Sequence, residues 1–227
     1  MIKGILVDFW NTLYVQIVDE RLYQMERVRR IARASGLEVN DSALSIFLEI
    51  RRKTDEKRKK ELREVPAEVE IREFLNRLGV KDEVSEEHLK GYSWPFINLT
   101  VMRCHAKPVL EFLSRRYALG IISNCTYSQM IVEKLRKDGI LNLFRVILTS
   151  RDVGWIKPDS MIFLEALKLI GLRPDESVMI GDSEKEDIEG AKTVGMKAIL
   201  IGKNKLGIAD AVVESWRDIP RALEVII

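Results

Sequence analysis

The sequence predicts an α/β fold: a parallel sheet covered by helices on both faces and interrupted once by an all-helical segment. Three observations predict it. Five short, almost wholly apolar runs are spread along the chain, at Ile2–Val7, Ala118–Ile122, Val146–Leu148, Val178–Ile180 and Ala198–Ile201. Strands buried on both faces read this way, without polar alternation. Helical periodicity lies between the later runs, and strands alternating with helices are the pattern of a parallel sheet. The stretch from Tyr14 to about Leu99 breaks that rhythm, with helical periodicity and no strand-like run.

The elements follow in order. Inside the interrupting stretch, Leu22, Met25, Val28 and Ile31 recur at helical spacing, as do Leu44, Phe47 and Leu48, and then Val69, Phe74, Leu75 and Leu78. Gly36, Pro66 and Gly79 punctuate it. Trp94, Pro95 and Phe96 are expected to pack where the insertion rejoins the core. Thr126 with Gln129 reads as a capping box that opens a helix through Lys137, with Gly139 just past its end. Pro158 opens another helix, with Ile162, Phe163, Ala166, Leu167 and Ile170 on one face and Gly171 as the stop. Ser183 with Glu186 caps a third, which stops near Gly195. The organisation expected is an α/β core from residues 1–14 and 100–227, with residues 15–99 as a helical domain set into it.

Bulk properties exclude several classes. A chain of 227 residues, 46% hydrophobic and 32% charged, is globular and long enough to bury a substantial core. Its formal net charge of +2 provides no strong field for nucleic acid or a membrane surface. The basic stretch Arg51 to Arg63 is interleaved with Glu and Asp and reads as a solvated helix face. Cys104 and Cys125 form no CxxC pair, and nothing near them suggests zinc. The run Ile2–Val7 is too short for a secretory leader, and no run approaches the roughly 20 apolar residues that cross a bilayer. A cytoplasmic protein, monomer or homodimer, is the expectation. Scarce Gln with abundant Lys, Arg and Glu leans toward a thermophilic source.

Polar residues gather at the ends of the predicted strands. Asp8 follows the first, Ser123 and Asn124 follow Ile121–Ile122, and Asp182 follows Ile180–Gly181. In an open parallel sheet ligands bind at the carboxyl ends of strands, where strand order reverses. Two carboxylates brought together there repel unless a cation stands between them. A lysine could neutralise one and a divalent metal could bridge both; oxygen-only ligands favour Mg²⁺. Lys157, in Trp155-Ile156-Lys157-Pro158, is the candidate lysine.

These residues carry a resemblance. Asp8-Phe9-Trp10-Asn11-Thr12 resembles the first motif of the haloacid-dehalogenase superfamily, DxDxT. Ser123 matches its second motif and Lys157-Pro158 its third. Gly181-Asp182-Ser183-Glu184-Lys185-Glu186-Asp187, followed by Gly190-Ala191, resembles the fourth. The long gap between Thr12 and Ser123 is similar to the family's helical cap inserted after the first motif. The resemblance implies a Rossmann-like parallel-sheet core with a small all-helical cap domain. It implies a Mg²⁺-dependent phosphohydrolase that acts on a small phosphorylated molecule. Asp8 would be the nucleophile, forming an aspartyl-phosphate. Mg²⁺ would be held by Asp8, the backbone carbonyl of Trp10 and Asp182, with Asp187 supporting the metal or its waters. Ser123 and the amide of Asn124 would donate to phosphate, and Lys157 would pair with Asp8 and phosphate.

One position departs from the pattern. The family's phosphatases carry a second Asp two residues after the nucleophile, as general acid and then base; here it is Trp10, whose indole does neither. The dehalogenase branch also lacks that Asp and shows Ser-Asn at the second motif. It uses no metal, lacks the Gly-Asp of the fourth motif, and binds substrate carboxylate through a cap arginine, for which Arg29, Arg30 and Arg33 are candidates. Three readings therefore stand: the phosphohydrolase, an L-2-haloacid dehalogenase, and a catalytically weak regulatory or binding protein. His88 and His105 lie away from the strand ends and read as structural or solvated. Neither GxGxxG nor GxxxxGK[ST] occurs.

Overall fold

The computed structural model describes residues 1–81, 83–203 and 206–226. Its main sheet holds six parallel strands: β1 (Gly4–Val7), β4 (Ala118–Ser123), β5 (Phe144–Thr149), β6 (Ser177–Gly181), β7 (Lys197–Ile201) and β8 (Ala211–Val213). They lie in the order β5-β4-β1-β6-β7-β8, so strand order reverses beside β1. This is the 3-2-1-4-5-6 order of a Rossmann-like sheet, counted over these six strands alone. Side chains alternate between two apolar layers. Ile5, Val7, Leu119, Ile121, Val178 and Ile180 face one layer, and Leu6, Ile122, Met179 and Leu200 the other. Both faces are covered, which is why these strands carry no polar alternation.

Helices α8 (Ser160–Ile170) and α9 (Gly190–Thr193) cover one face, through Ile162, Phe163, Ala166 and Ala191. Helices α5 (Ala106–Leu113), α6 (Gln129–Lys137) and α10 (Ile219–Ile226) supply the other face with Leu110, Ile131 and Leu223. A one-turn helix, α7 (Ser150–Val153), follows β5.

Among the described residues, the excursion after β1 contains four helices: α1 (Glu20–Ala34), α2 (Asp41–Glu61), α3 (Ala67–Arg77) and α4 (Glu86–Asn98). A two-stranded antiparallel ribbon, β2 (Tyr14–Gln16) with β3 (Thr100–Met102), closes its base. β2 corrects the expectation of no strand after Tyr14; three residues are too short to show a period. α1 and α4 pack closely, because a Cβ on Gly91 would fall 2.8 Å from the Arg30 backbone. α2 and α3 join through Phe47 and Phe74, edge to face at 5.3 Å. Phe96 stacks on Phe9 at 5.1 Å, so the insertion rejoins the core as expected at this residue. The buried cluster runs without a break from Phe74 in α3 to Ile5 in the sheet.

Several local readings are corrected. Leu22, Leu48 and Val69 are exposed, at 42%, 40% and 50%, so the buried stripe runs along the neighbouring columns of their helices. α6 starts at Gln129 with no side-chain cap, because Thr126 Oγ1 lies 2.9 Å from the Tyr92 hydroxyl instead. α8 starts at Ser160, two residues after Pro158, and is capped by Asp159 accepting from the Met161 amide. The Ser183 cap is present, its Oγ accepting from the Glu186 amide. The turn it opens, Glu184–Glu189, is π-helical. Among the described residues no helix is long and apolar enough to cross a membrane.

Candidate active site

Asp8 leaves β1 with its amide still on the sheet, donating to the Ile180 carbonyl at 2.9 Å. The chain then turns sharply. Leu13 and Tyr14 amides both donate to the Phe9 carbonyl, and Asn11 adopts φ +62, which asparagine tolerates better than most residues. Two distant side chains hold this loop: Arg103 Nε donates to the Asn11 carbonyl at 2.6 Å and Trp216 Nε1 to the Thr12 carbonyl at 2.7 Å. Thr12 Oγ1 in turn donates to Asp182 Oδ1 at 2.9 Å, tying the loop after β1 to the loop after β6 across the reversal point.

Lys157 is the hub. Its ammonium, 2% exposed, donates to Asp8 Oδ1 at 2.6 Å, to Asp187 Oδ1 at 2.5 Å and to the Ile122 carbonyl at 3.2 Å. The Asn124 side chain grips the lysine's backbone from both sides: Oδ1 accepts from Lys157 N at 2.7 Å, and Nδ2 donates to Lys157 O at 3.1 Å. Nδ2 also donates to Glu186 Oε2 at 3.1 Å. The structure thus uses the Asn124 side chain to position Lys157. Gly181 makes room for Asp187: a Cβ there would sit 2.3 Å from its carboxyl atoms. Asp187 Oδ2 accepts from the Ser183 amide at 3.0 Å.

The electrostatics of this edge are strained. Burial, together with Asp187 and Asp182, pushes the Asp8 carboxyl up to about 7, although Lys157 pulls it down. Asp182 is raised for the same reasons, burial first and Asp187 second. Burial disfavours the Lys157 charge, yet Asp187 and Asp8 outweigh it and hold the ammonium above its ordinary value. One lysine does not neutralise three carboxylates. One oxygen each of Asp8, Asp182 and Asp187 lie within 4.8 Å of one another, an all-oxygen donor set that fits a hard divalent cation.

A cleft of about 420 Å³ opens over these groups, reaching Trp10, Ser123 and Asn124. All seven residues singled out in the sequence are therefore brought to one edge. Trp10 stacks on Phe96 at 5.7 Å and meets Tyr23 edge-on at 6.0 Å. The opposite wall comes from the insertion and went unread in the sequence. Arg51 and Arg58 of α2 face the cleft, so the basic stretch is not wholly a solvated face. They pair with Glu70 and Glu64, at 3.2 and 2.7 Å. Their seven-residue spacing is the signal that puts both on one side of a helix. Arg29, Arg30 and Arg33 line a separate cleft with Leu37 and Val39. His88 is buried, 2.8 Å from the hydroxyls of both Ser35 and Ser85, and His105 lies 2.7 Å from Arg217.

Comparison with known proteins follows the same line. The family model described as haloacid dehalogenase-like hydrolase matches residues 37–201. A glyceraldehyde 3-phosphate phosphatase of Methanothermobacter thermautotrophicus is 43% identical over 108 residues, 47% of this chain and 44% of that enzyme. The match thus spans less than half of that relative. The enzyme of the same name from Methanopyrus kandleri is 27% identical over 209 residues, 90% of this chain and 86% of its own length. The crystal structure of a HAD phosphatase from Thermococcus onnurineus superposes with TM-score 0.69 at 27% identity, covering 98% of both chains. A 2-haloacid dehalogenase from Pseudomonas syringae shares the fold at TM-score 0.75 and 23% identity, over 99% of both chains.

Proposed function

Because the chain belongs to the haloacid dehalogenase-like hydrolase family, we propose that it is a Mg²⁺-dependent phosphohydrolase working through an aspartyl-phosphate on Asp8. Its substrate is a small phosphorylated molecule. The observation that carries this reading is the convergence of Asp8, Asp182 and Asp187 on one point beside Lys157. A metal-free dehalogenase has no use for three clustered carboxylates there, Asp8 and Asp187 buried and Asp182 half-buried. Asp8, Asp182, Asp187 and the Trp10 carbonyl would hold Mg²⁺. The ion would supply positive charge to offset the phosphoryl oxygens.

The chain's own residues divide the remaining work. An Asp8 carboxylate oxygen attacks phosphorus, the P–O bond to the leaving group breaks, and that oxygen departs with the electron pair. Water then attacks the phosphorus of the acyl phosphate, releasing inorganic phosphate and restoring the carboxylate. Lys157 holds Asp8 in place and offsets its charge. Ser123 and the Asn124 amide orient the phosphoryl group. Trp10 neither gives nor takes a proton. Leaving groups that depart readily as anions, such as aryl or acyl phosphates, are therefore favoured.

The test is hydrolysis of an aryl phosphate with Mg²⁺ and with EDTA, beside halide release from 2-chloropropionate. Turnover of the phosphate ester, lost in EDTA and shifted to higher Mg²⁺ in Asp182→Asn, is expected. Metal-independent halide release without phosphate release would overturn the reading.

A further inference from the structure

A second cavity, about 230 Å³, adjoins the Asp8 cleft on the insertion side. It shares Trp10, Arg51, Arg58, Ser123 and Asn124 with the cleft and is otherwise walled by Tyr23, Arg27 and Tyr92. Arg27 is 4% exposed. Its guanidinium donates to the Tyr92 carbonyl at 2.9 Å, to Gln24 Oε1 at 3.1 Å and to the Tyr23 hydroxyl at 3.4 Å. It also lies 5.1 and 4.3 Å from the Tyr23 and Tyr92 ring centroids. Every one of these partners is neutral. Among the described residues none pairs a carboxylate with Arg27, whereas Arg51 has Glu70 and Arg58 has Glu64. Glu20, also in the cavity wall, is held by Gln24 Nε2 at 2.7 Å.

A guanidinium stays charged and offers five N–H donors, of which three are used here. A buried cation without an anion is strongly unfavourable, and ring faces offset only part of that cost. We propose that the missing anion arrives with the substrate: Arg27 receives a second anionic group, carboxylate or phosphate, of a small organic phosphate whose transferred phosphoryl sits at Asp8. This rests on the phosphohydrolase reading above. The cavity is smaller than the roughly 300 Å³ at which drug-sized pockets begin, so the part of the substrate that enters it is compact. The aromatic walls accept its short carbon chain.

The test is calorimetric titration of the full chain, in Mg²⁺, with three probes that cannot be hydrolysed. These are phosphonopropionate, propylene-bisphosphonate and, as the neutral-tailed control, propylphosphonate. At least one anionic-tailed probe binds roughly ten- to a hundredfold tighter than the control, the range of a charge-assisted hydrogen bond. The tighter of the two identifies the group. In Arg27→Gln the preference disappears, and in Arg27→Lys, which keeps the charge, part of it remains. Equal affinity for all three probes, or no binding of any, overturns the inference, as does a preference that survives in folded Arg27→Gln. If that variant does not fold, Arg27→Lys decides: a weakened preference supports the inference, and one kept at the parent's full value overturns it. Aryl phosphate hydrolysis is measured separately. Preference without hydrolysis sinks the phosphohydrolase reading and leaves the pocket; hydrolysis without preference does the reverse.

Discussion

At the carboxyl edge of the sheet, three clustered carboxylates face one buried ammonium. Across the cleft, in the helical insertion, three arginines stand with the exposed Lys59, two of them paired with glutamates and one with no acid among the described residues. The first wall carries excess negative charge and suits a metal ion. The second offers positive charge and suits an anion. The two walls also differ in how they hold their groups. The sheet edge uses strand ends and short backbone bonds, such as Asn124 on Lys157, so its geometry is set by the fold itself. The insertion uses long side chains that depend on partners from other helices, such as Tyr92 from α4 on Glu70 from α3. Chemistry that must not vary belongs on the first wall, and substrate choice on the second.

The largest effect tests whether the walls are one body. Phe74, fully buried in α3 against Phe47, belongs to the cluster that continues into the sheet. Phe74→Ala should cost about 3–5 kcal/mol and still give one cooperative unfolding transition. Two separate transitions, with only the first shifted, would mean that the insertion folds apart from the core.

Next in size is a pH effect confined to the sheet edge. Asp8 in the folded protein holds its proton up to about 7, whereas the unfolded chain releases it near 3.8. Between those values the folded state binds more protons, so stability falls as pH rises. The metal-free protein should lose up to a few kcal/mol between pH 5 and pH 8, and Mg²⁺ should restore part of it. Denaturant midpoints measured with and without Mg²⁺ check this; a stability that rises over the window would contradict it.

Trp10 sits where the walls meet. Trp10→Asp should speed hydrolysis of alkyl phosphates about tenfold or more over aryl ones, within the range of general acid help. The readout is the slope of log rate against leaving-group pKa. A shallow slope in the parent, unchanged by the substitution, would locate a proton donor elsewhere. The smallest effect belongs to Leu48, which lies 40% exposed on α2. Leu48→Ser should change stability by no more than about 0.5 kcal/mol, whereas a core leucine would cost several.

The same contrast explains what could be read from the sequence. Residues Asp8, Asn124 and Asp182 follow fully buried strands and Ser123 ends one, and a fully buried strand announces itself as an apolar run. Their convergence then follows from parallel topology. The strands β2, β3 and β8 have three residues each, too few to show a period. Leu22, Leu48 and Val69 keep helical spacing yet lie exposed, because an amphipathic stripe is wider than one column and the partner helix decides which column is covered. Arg27 was hidden among Arg29, Arg30 and Arg33. Its register with Tyr23 and Ile31, four residues to either side on a buried face, is what distinguishes it. Arg51 and Arg58 needed Glu70, Tyr92 and Glu64, partners that only the packed helices bring near.

The central claim is that Asp8 carries the phosphoryl group. The parent protein, given an aryl phosphate and Mg²⁺ and quenched in acid, is digested and its peptides weighed. A Mg²⁺-dependent phosphoryl adduct is expected on Asp8, favoured by Trp10 because water lacks a base to attack it. The adduct is expected to vanish in Asp8→Asn, with turnover falling by at least about 10⁴-fold. An adduct on another residue, or substantial turnover by folded Asp8→Asn, would contradict the account.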